Sequence, residues 1–391
     1  MPWEEVKPMQ QKVLFIADYL RQRASMVDLC AAYGISRKTG YKWLRRYHEL
    51  GLEGLAEQSR RPARSPAQVP YRLQQAIIEL RQQFQSVPGA KKLRALLAQR
   101  YPNERLPSKS TIYNILNRAG LVASRRRKRR VPPYPQPFAP VDQVNQLWSV
   151  DYKGQFKLGN GQWCYPLTVM DHHSRYLCGC DALAGPRLED TRACFVRLFN
   201  AYGLPERIRT DNGVPFASRA CGGLSRLSIW WIRLGIVPER IAAGKPQQNG
   251  RHERMHRTLK QAATRPPAAS RRAQQRRFDG FRDEYNQQRP HEALGQQTPA
   301  SQYTSSARPY PTRLPKLHYP DYFEVRKVSR NGVIYWRNKW VYVSHLLDQE
   351  QVGLEAIEDG IWQVYFGPVL LGRFDERHVK GKSVPYITLK V

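Results

Sequence analysis

Leu147-Trp148-Ser149-Val150-Asp151-Tyr152 reads as a buried β-strand with one residue out of character. Its apolar side chains suit a pleated surface. The Asp151 carboxylate is costly among them unless something compensates it, as a metal cation would. Working outward, residues 147–156 alternate as a strand, Gly159-Asn160-Gly161 makes a hairpin turn, and 164–171 and 175–181 supply two further strands. A helix is predicted near 189–202, with Ala193, Phe195, Val196, Leu198 and Phe199 inward. Pro205 to Thr210 reads as a strand ending at Asp211, Leu234 to Pro238 as another, and 247–262 as a polar helix. Three antiparallel strands followed by alternating helix and strand predict an α/β domain, assigned to 141–305.

Two further carboxylates join Asp151. Asp211, in Arg209-Thr210-Asp211-Asn212-Gly213, sits at the C-terminal end of a strand, where open α/β sheets place their sites. Glu253 follows Gln247-Gln248-Asn249-Gly250 on a helix, with Asn249 and Arg257 one turn away on the same face. Two Asp and a Glu are hard oxygen donors that suit Mg²⁺, with Mn²⁺ able to substitute. A pair of such ions can activate a water or hydroxyl for in-line attack on a phosphodiester. The same helix holds His252-Glu253-Arg254-Met255-His256, a match to the H-E-x-x-H of zinc peptidases. Arg251, Arg254 and Arg257 crowd the cation in that reading, and it leaves Asp151 and Asp211 unexplained. Asp171-His172-His173 is read as shaping a turn rather than chelating.

The 391 residues carry 64 Lys or Arg against 32 Asp or Glu, a net charge of +32. A balance this basic points to a polyanion, nucleic acid before an anionic membrane. Hydrophobic content of 41% excludes a wholly disordered chain. No apolar run reaches a membrane span's length, and Met1-Pro2-Trp3-Glu4-Glu5 does not open a signal peptide, so the expected location is cytoplasmic. Cys30, Cys164, Cys178, Cys180, Cys194 and Cys221 show no zinc-finger spacing and are read as reduced thiols.

Residues 1–57 read as a helix-turn-helix. Val13, Leu14, Ile16, Ala17 and Leu20 form one apolar face, Ser25 caps a second helix with Val27, Leu29, Cys30 and Ala31 inward, and Gly34 makes the turn. Ser36 caps a third helix with Arg37, Lys38, Lys42, Arg45 and Arg46 around a packing face of Tyr41, Trp43, Leu44 and Tyr47, the expected major-groove reader. A linker at 58–69 leads to a second such unit at 70–122, where Ser108 or Ser110 caps the last helix. The linker at 123–140 begins with Arg125, Arg126, Arg127, Lys128, Arg129 and Arg130 before a Pro-rich stretch, and is expected to lie along phosphates. At 306–391 six short strands, with Asn331-Gly332 as a hairpin signal, predict a small all-β barrel.

In order along the chain, four blocks resemble the bacterial insertion-sequence transposases of the DDE, retroviral-integrase-like superfamily (insertion-sequence-481-like). They are Trp148 to Asp151, Arg209 to Gly213, Gly244 to Arg254, and Tyr285-Asn286 with Arg289-Pro290-His291-Glu292-Ala293-Leu294-Gly295 and Thr298-Pro299-Ala300. The likeness spans about residues 10–305. It implies a ribonuclease-H-like core with Asp151, Asp211 and Glu253 as catalytic residues and metal ligands. It also implies binding of double-stranded DNA at the element's terminal inverted repeats, metal-dependent cleavage there, and joining of the 3′-hydroxyl to target DNA within a multimeric, nucleoid-associated assembly. The runner-up is a non-enzymatic DNA-binding regulator with a degenerate core. Two departures stand out. The 41 residues between Asp211 and Glu253 exceed the superfamily's usual spacing, with the insertion placed at Ser218 to Arg226, and helix-turn-helix units replace a zinc module at the N-terminus.

Overall fold

A computed structural model describes residues 8–57, 68–122, 140–218, 220–242, 246–378 and 386–389, which fall into two compact units, Met1–Gln68 and Val69–Val391. The cations Arg125 to Arg130, most of the first linker, and Gly244-Lys245 lie outside the described residues.

The described residues of the first unit hold three α-helices, α1 (Pro8–Leu20), α2 (Met26–Ala32) and α3 (Arg37–Leu50), followed by a 3-10 turn at Gly51–Leu55. As the sequence predicts, Ser25 accepts from the Asp28 amide and Ser36 from the Thr39 amide. Phe15, Ile16, Leu29, Cys30, Trp43, Leu44 and Leu55 make its core. The inward faces are narrower than predicted: Val13, Leu14, Leu20, Val27, Ala31 and Tyr41 are exposed. These short helices carry more apolar residues than one stripe can bury. Gly40 sets the closeness of packing, since a Cβ there would meet Cys30 Sγ at 2.6 Å. Arg37, Lys38, Lys42 and Arg45 are exposed, and Lys42 and Arg46 lie over the Trp43 ring.

The second unit opens with α4 (Tyr71–Gln83), α5 (Ala90–Arg100) and α6 (Lys109–Arg118). Ile77, Leu80, Leu93, Leu97, Ile112 and Ile115 form their core, and Ser108 caps α6. Then come β1 (Leu147–Tyr152), β2 (Phe156–Lys157), β3 (Trp163–Asp171), β4 (Leu177–Leu183), α7 (Leu188–Tyr202), β5 (Arg207–Thr210), α8 (Arg226–Arg233), β6 (Val237–Arg240), α9 (Gly250–Ala263) and α10 (Arg271–Asp283). The sheet runs β4-β3-β1-β5-β6, with β2 on the start of β3. β3 is antiparallel to β1 and β4, while β5 and β6 run parallel to β1. Helices α7 and α8 cover one face and α9 and α10 the other. This is the ribonuclease-H-like plan the resemblance implies.

Helices α8 and α10 carry no clear sequence signal. In α10 five arginines hide a stripe of Gln274, Phe278 and Phe281. Helix α8 is apolar on two sides. Leu227, Trp230 and Trp231 face the sheet's core, while Ile229 and Ile232, with Leu224 before them, enter a second core beneath the C-terminal strands. Arg233 binds both oxygens of Glu350 at 2.8 and 2.7 Å across the same junction. The C-terminal strands thus dock on α8 and on Leu224, at the end of the segment read as an insertion.

Those strands are β7 (Glu324–Lys327), β8 (Val333–Trp336), β9 (Lys339–Tyr342), β10 (Gln351–Glu358), β11 (Ile361–Phe366), β12 (Val369–Asp375) and β13 (Tyr386–Thr388). The predicted barrel is not closed. Among the described residues there are two open sheets, β12-β11-β10-β7 and β13-β9-β8, around one core. The ladder breaks at 328–332, where Val328 still donates to Glu350 O but Ser329 turns to Val333 O, carrying the chain from one sheet to the other. Gly332, with φ +75°, sits at that corner, and a Cβ there would meet the His345 nitrogen at 2.6 Å. The hairpin turn proper is Arg337-Asn338, both at positive φ.

Candidate active site

Strands β1 and β5 are parallel neighbours, with Ser149 level with Arg209. Asp151 near the end of β1 and Asp211 just after β5 therefore stand at the same, C-terminal edge of the sheet. Arg209 is buried and bonded to Glu239 on β6, which fixes β5 beneath Asp211. Helix α9 turns His252, Met255, His256, Leu259 and Ala263 inward and leaves Glu253 exposed on its first turn.

The carboxylates act on one another. Burial pushes the Asp151 carboxyl up to about 7, the charge of Asp211 adds to the rise, and that of Glu253 adds less. Asp211 is turned onto its own loop, where the Gly213 amide donates to its Oδ1 at 3.0 Å and Asn212 bonds Ile241 O. Among the described residues, no group of three His, Cys, Asp or Glu side chains is set closely enough to hold a metal ion. The donor chemistry nevertheless fits a hard divalent cation: three carboxylates raise the proton affinity of one another's most buried member, and a cation would relieve that repulsion. Lys153 is the nearby counter-charge, its own ammonium pushed down by burial and by Lys260.

The two histidines of the H-E-x-x-H match belong to the interior. His252 Nε2 and His256 Nε2 both lie 2.7 Å from Thr168 Oγ1, and His252 Nδ1 is 2.9 Å from Ser149 Oγ. Burial pushes His252 down to about 3 and His256 to about 2, so both are neutral. The point on which the imidazoles converge, where zinc would sit, is filled by the Thr168 hydroxyl. Thr168 donates to Asp151 O, so both Nε2 atoms donate to Thr168, an assignment from the hydrogen-bond pattern. His256 Nδ1 then lies 3.6 Å from Asp151 Oδ2, on the side of the ring away from Thr168. Ser149 and Thr168 were missed in the sequence, where each is only a polar residue in an apolar strand.

Asp171 shapes a turn, accepting from the Ser174 amide and hydroxyl and from the Asn145 amide. His172 is buried and neutral, and His173 Nδ1 lies 3.4 Å from Val141 O.

Two integrase core domain families match, over residues 141–246 and 234–299. The chain carries an integrase core. A helix-turn-helix domain family matches residues 11–63 and a homeodomain-like family 39–116. The insertion element IS407 protein of Burkholderia multivorans is 32% identical over 197 residues, covering 48% of this chain and 66% of that protein. The insertion element IS476 protein of Xanthomonas euvesicatoria is 29% identical over 257 residues, covering 64% of this chain and 69% of that protein. The chain thus spans about two thirds of the length of these relatives. Among solved structures, the HTLV-2 integrase catalytic core domain in complex with magnesium is 16% identical with a TM-score of 0.33, covering 41% of this chain and 98% of that one. No described helix is long and apolar enough to cross a membrane.

Proposed function

We propose that this chain is a DDE transposase whose catalytic residues are Asp151, Asp211 and Glu253. The observation that carries the reading is Asp151, a half-buried carboxyl near the end of β1 pushed up to about 7 by desolvation and by the charge of the other two carboxylates. Structural carboxylates are normally paired with cations. A carboxyl whose proton affinity is raised by the charge of two others nearby favours a metal site. The three residues would hold Mg²⁺ or Mn²⁺, two ions per site, which when bound supply an activated water or 3′-hydroxyl and stabilise the leaving oxygen. The chain's own part is positional: the β1–β5 pairing holds the two aspartates side by side, the Thr168–histidine cluster fixes α9 against β1, and Asp211 must leave the Gly213 amide to join the site.

In this reading the unit at 1–57 and the helices at 70–122 bind the element's terminal inverted repeats, with Arg37, Lys38, Lys42, Arg45 and Arg46 on the reading helix. The run Arg125 to Arg130 neutralises phosphates, and the core at 141–305 cuts the ends and joins them to target DNA in a multimeric assembly. Asp151→Asn, Asp211→Asn and Glu253→Gln should each lower nicking of end-containing DNA by about a thousandfold or more while leaving specific binding within about threefold. His256→Ala should keep measurable nicking. Full turnover by any of the three carboxylate variants overturns the assignment.

A further inference from the structure

The family-like block that begins at Tyr285 has a second task in this chain. After α10 the helix widens into one π turn, Glu284–Gln288, and the chain leaves through Arg289. The loop joining α4 to α5 lies against that turn. The Gln85 amide donates to Glu284 Oε2 at 2.8 Å and the Ser86 amide to Glu284 Oε1 at 3.1 Å. Arg289 returns the contact, donating to Ser86 O at 2.9 Å and to the Ser86 hydroxyl. Ser86, Glu284 and Arg289 are all buried, and Lys91 of α5 pairs with Glu292 at the rim. Two opposite charges that are both taken from water, and both spent on backbone groups of one loop, make a specific joint rather than a casual contact.

We propose that Glu284 and Arg289 are positioning residues that lock helices α4–α6 to the integrase core, so that the DNA held by α6 meets the carboxylates at one fixed phosphodiester. The inference rests on the transposase reading and adds to it the rule by which the bond is chosen. Recognition and cutting lie on different parts of the chain, and their separation is set by whatever joins them. A flexible joint would spread cleavage over neighbouring bonds. A buried joint confines it, because displacement by about 1 Å can cost on the order of a hundredfold in rate.

Two measurements test this on the full-length chain. Hydrogen exchange of the wild type should find the Gln85 and Ser86 amides protected at least tenfold beyond a free loop; exchange at the free-loop rate overturns the joint. Removing one charge would strand the other, so the variant is Glu284→Gln together with Arg289→Gln, accepted only if β1 and β3 amides stay protected. With Mn²⁺ and end-labelled DNA, wild type should nick one bond, and the variant should nick several, its preference for the main bond falling at least tenfold while DNA affinity holds. Nicking at the same single bond by a variant whose loop amides are freed overturns the proposal. Should the double variant not fold, Ser86→Pro, which removes one of the two amides donated to Glu284 and the hydroxyl bound by Arg289, gives the same readout. If wild type nicks no DNA, the transposase reading fails and the positioning role with it, whereas the exchange result still decides whether the joint exists.

Discussion

Asp151 shows how one atom group can oppose its own fold. Its folded-state value lies above the ordinary carboxylate value of 3.8, at about 7, so the folded chain holds this proton more tightly than the unfolded one. The group therefore destabilises progressively as pH rises from about 4 to about 7, with the full penalty present above that. His172, His252 and His256, all pushed down, work in the opposite sense and lose stability as pH falls through the unfolded histidine value. The wild-type curve mixes the two, and the difference between wild type and Asp151→Asn separates them. We expect Asp151→Asn to stabilise the metal-free chain by about 2 kcal/mol at pH 8 and by about a quarter of that at pH 4.5, read from urea melts. Mg²⁺ should raise the wild-type Tm at pH 8 and leave that of Asp151→Asn nearly unmoved. An equal effect of the substitution at both pH values would remove the electrostatic account. At this scale the sequence was informative about charge and poor about company. Asp151 was conspicuous because its strand is apolar, whereas Thr168 matters only through histidines far along the chain.

Edge strands need their backbone groups answered, and β4 is answered by side-chain amides. Asn286 accepts from the Leu177 amide and donates to Leu177 O, and Gln275 does the same for Ala182 N and Cys180 O. Each amide stands in for a residue of a missing strand. Asn286→Ala leaves a buried N–H and a buried carbonyl unanswered and should cost about 2–3 kcal/mol in denaturant unfolding. Asn286→Asp keeps one bond and sets a carboxylate against the Leu177 carbonyl, so it should not rescue. A loss under about 0.5 kcal/mol for Asn286→Ala would mean that the edge is answered some other way. Elements with plain periodicity were legible: β1, β3, α7 and the capped helices α2, α3 and α6 fall where alternation or a capping serine puts them. Helix α10 was not, because its buried stripe is narrow and its arginines dominate the window. The turn at 337–338 was not either, since Arg-Asn lacks the glycine that marks such turns, while Asn331-Gly332, which has it, makes a corner between sheets.

For the molecule as a whole, the charge of +32 makes salt the natural probe. If Arg125 to Arg130 track a backbone, replacing all six with Gln should weaken binding to end and random DNA alike, and the slope of log K against log salt should shrink by roughly 0.9 per lost contact. An unchanged slope would make the run a tether. The double-faced helix α8 has a consequence of another kind. Proteins assembled from interchangeable parts keep the joints between parts polar, so that either part survives alone or beside a new neighbour. Here one eight-residue helix belongs to two cores at once. A core grafted elsewhere without its terminal strands would carry a wet isoleucine pair and precipitate, and the strands without the core would have no floor. Through recombination, then, the two must travel as a single inheritance, whatever is exchanged in front of them.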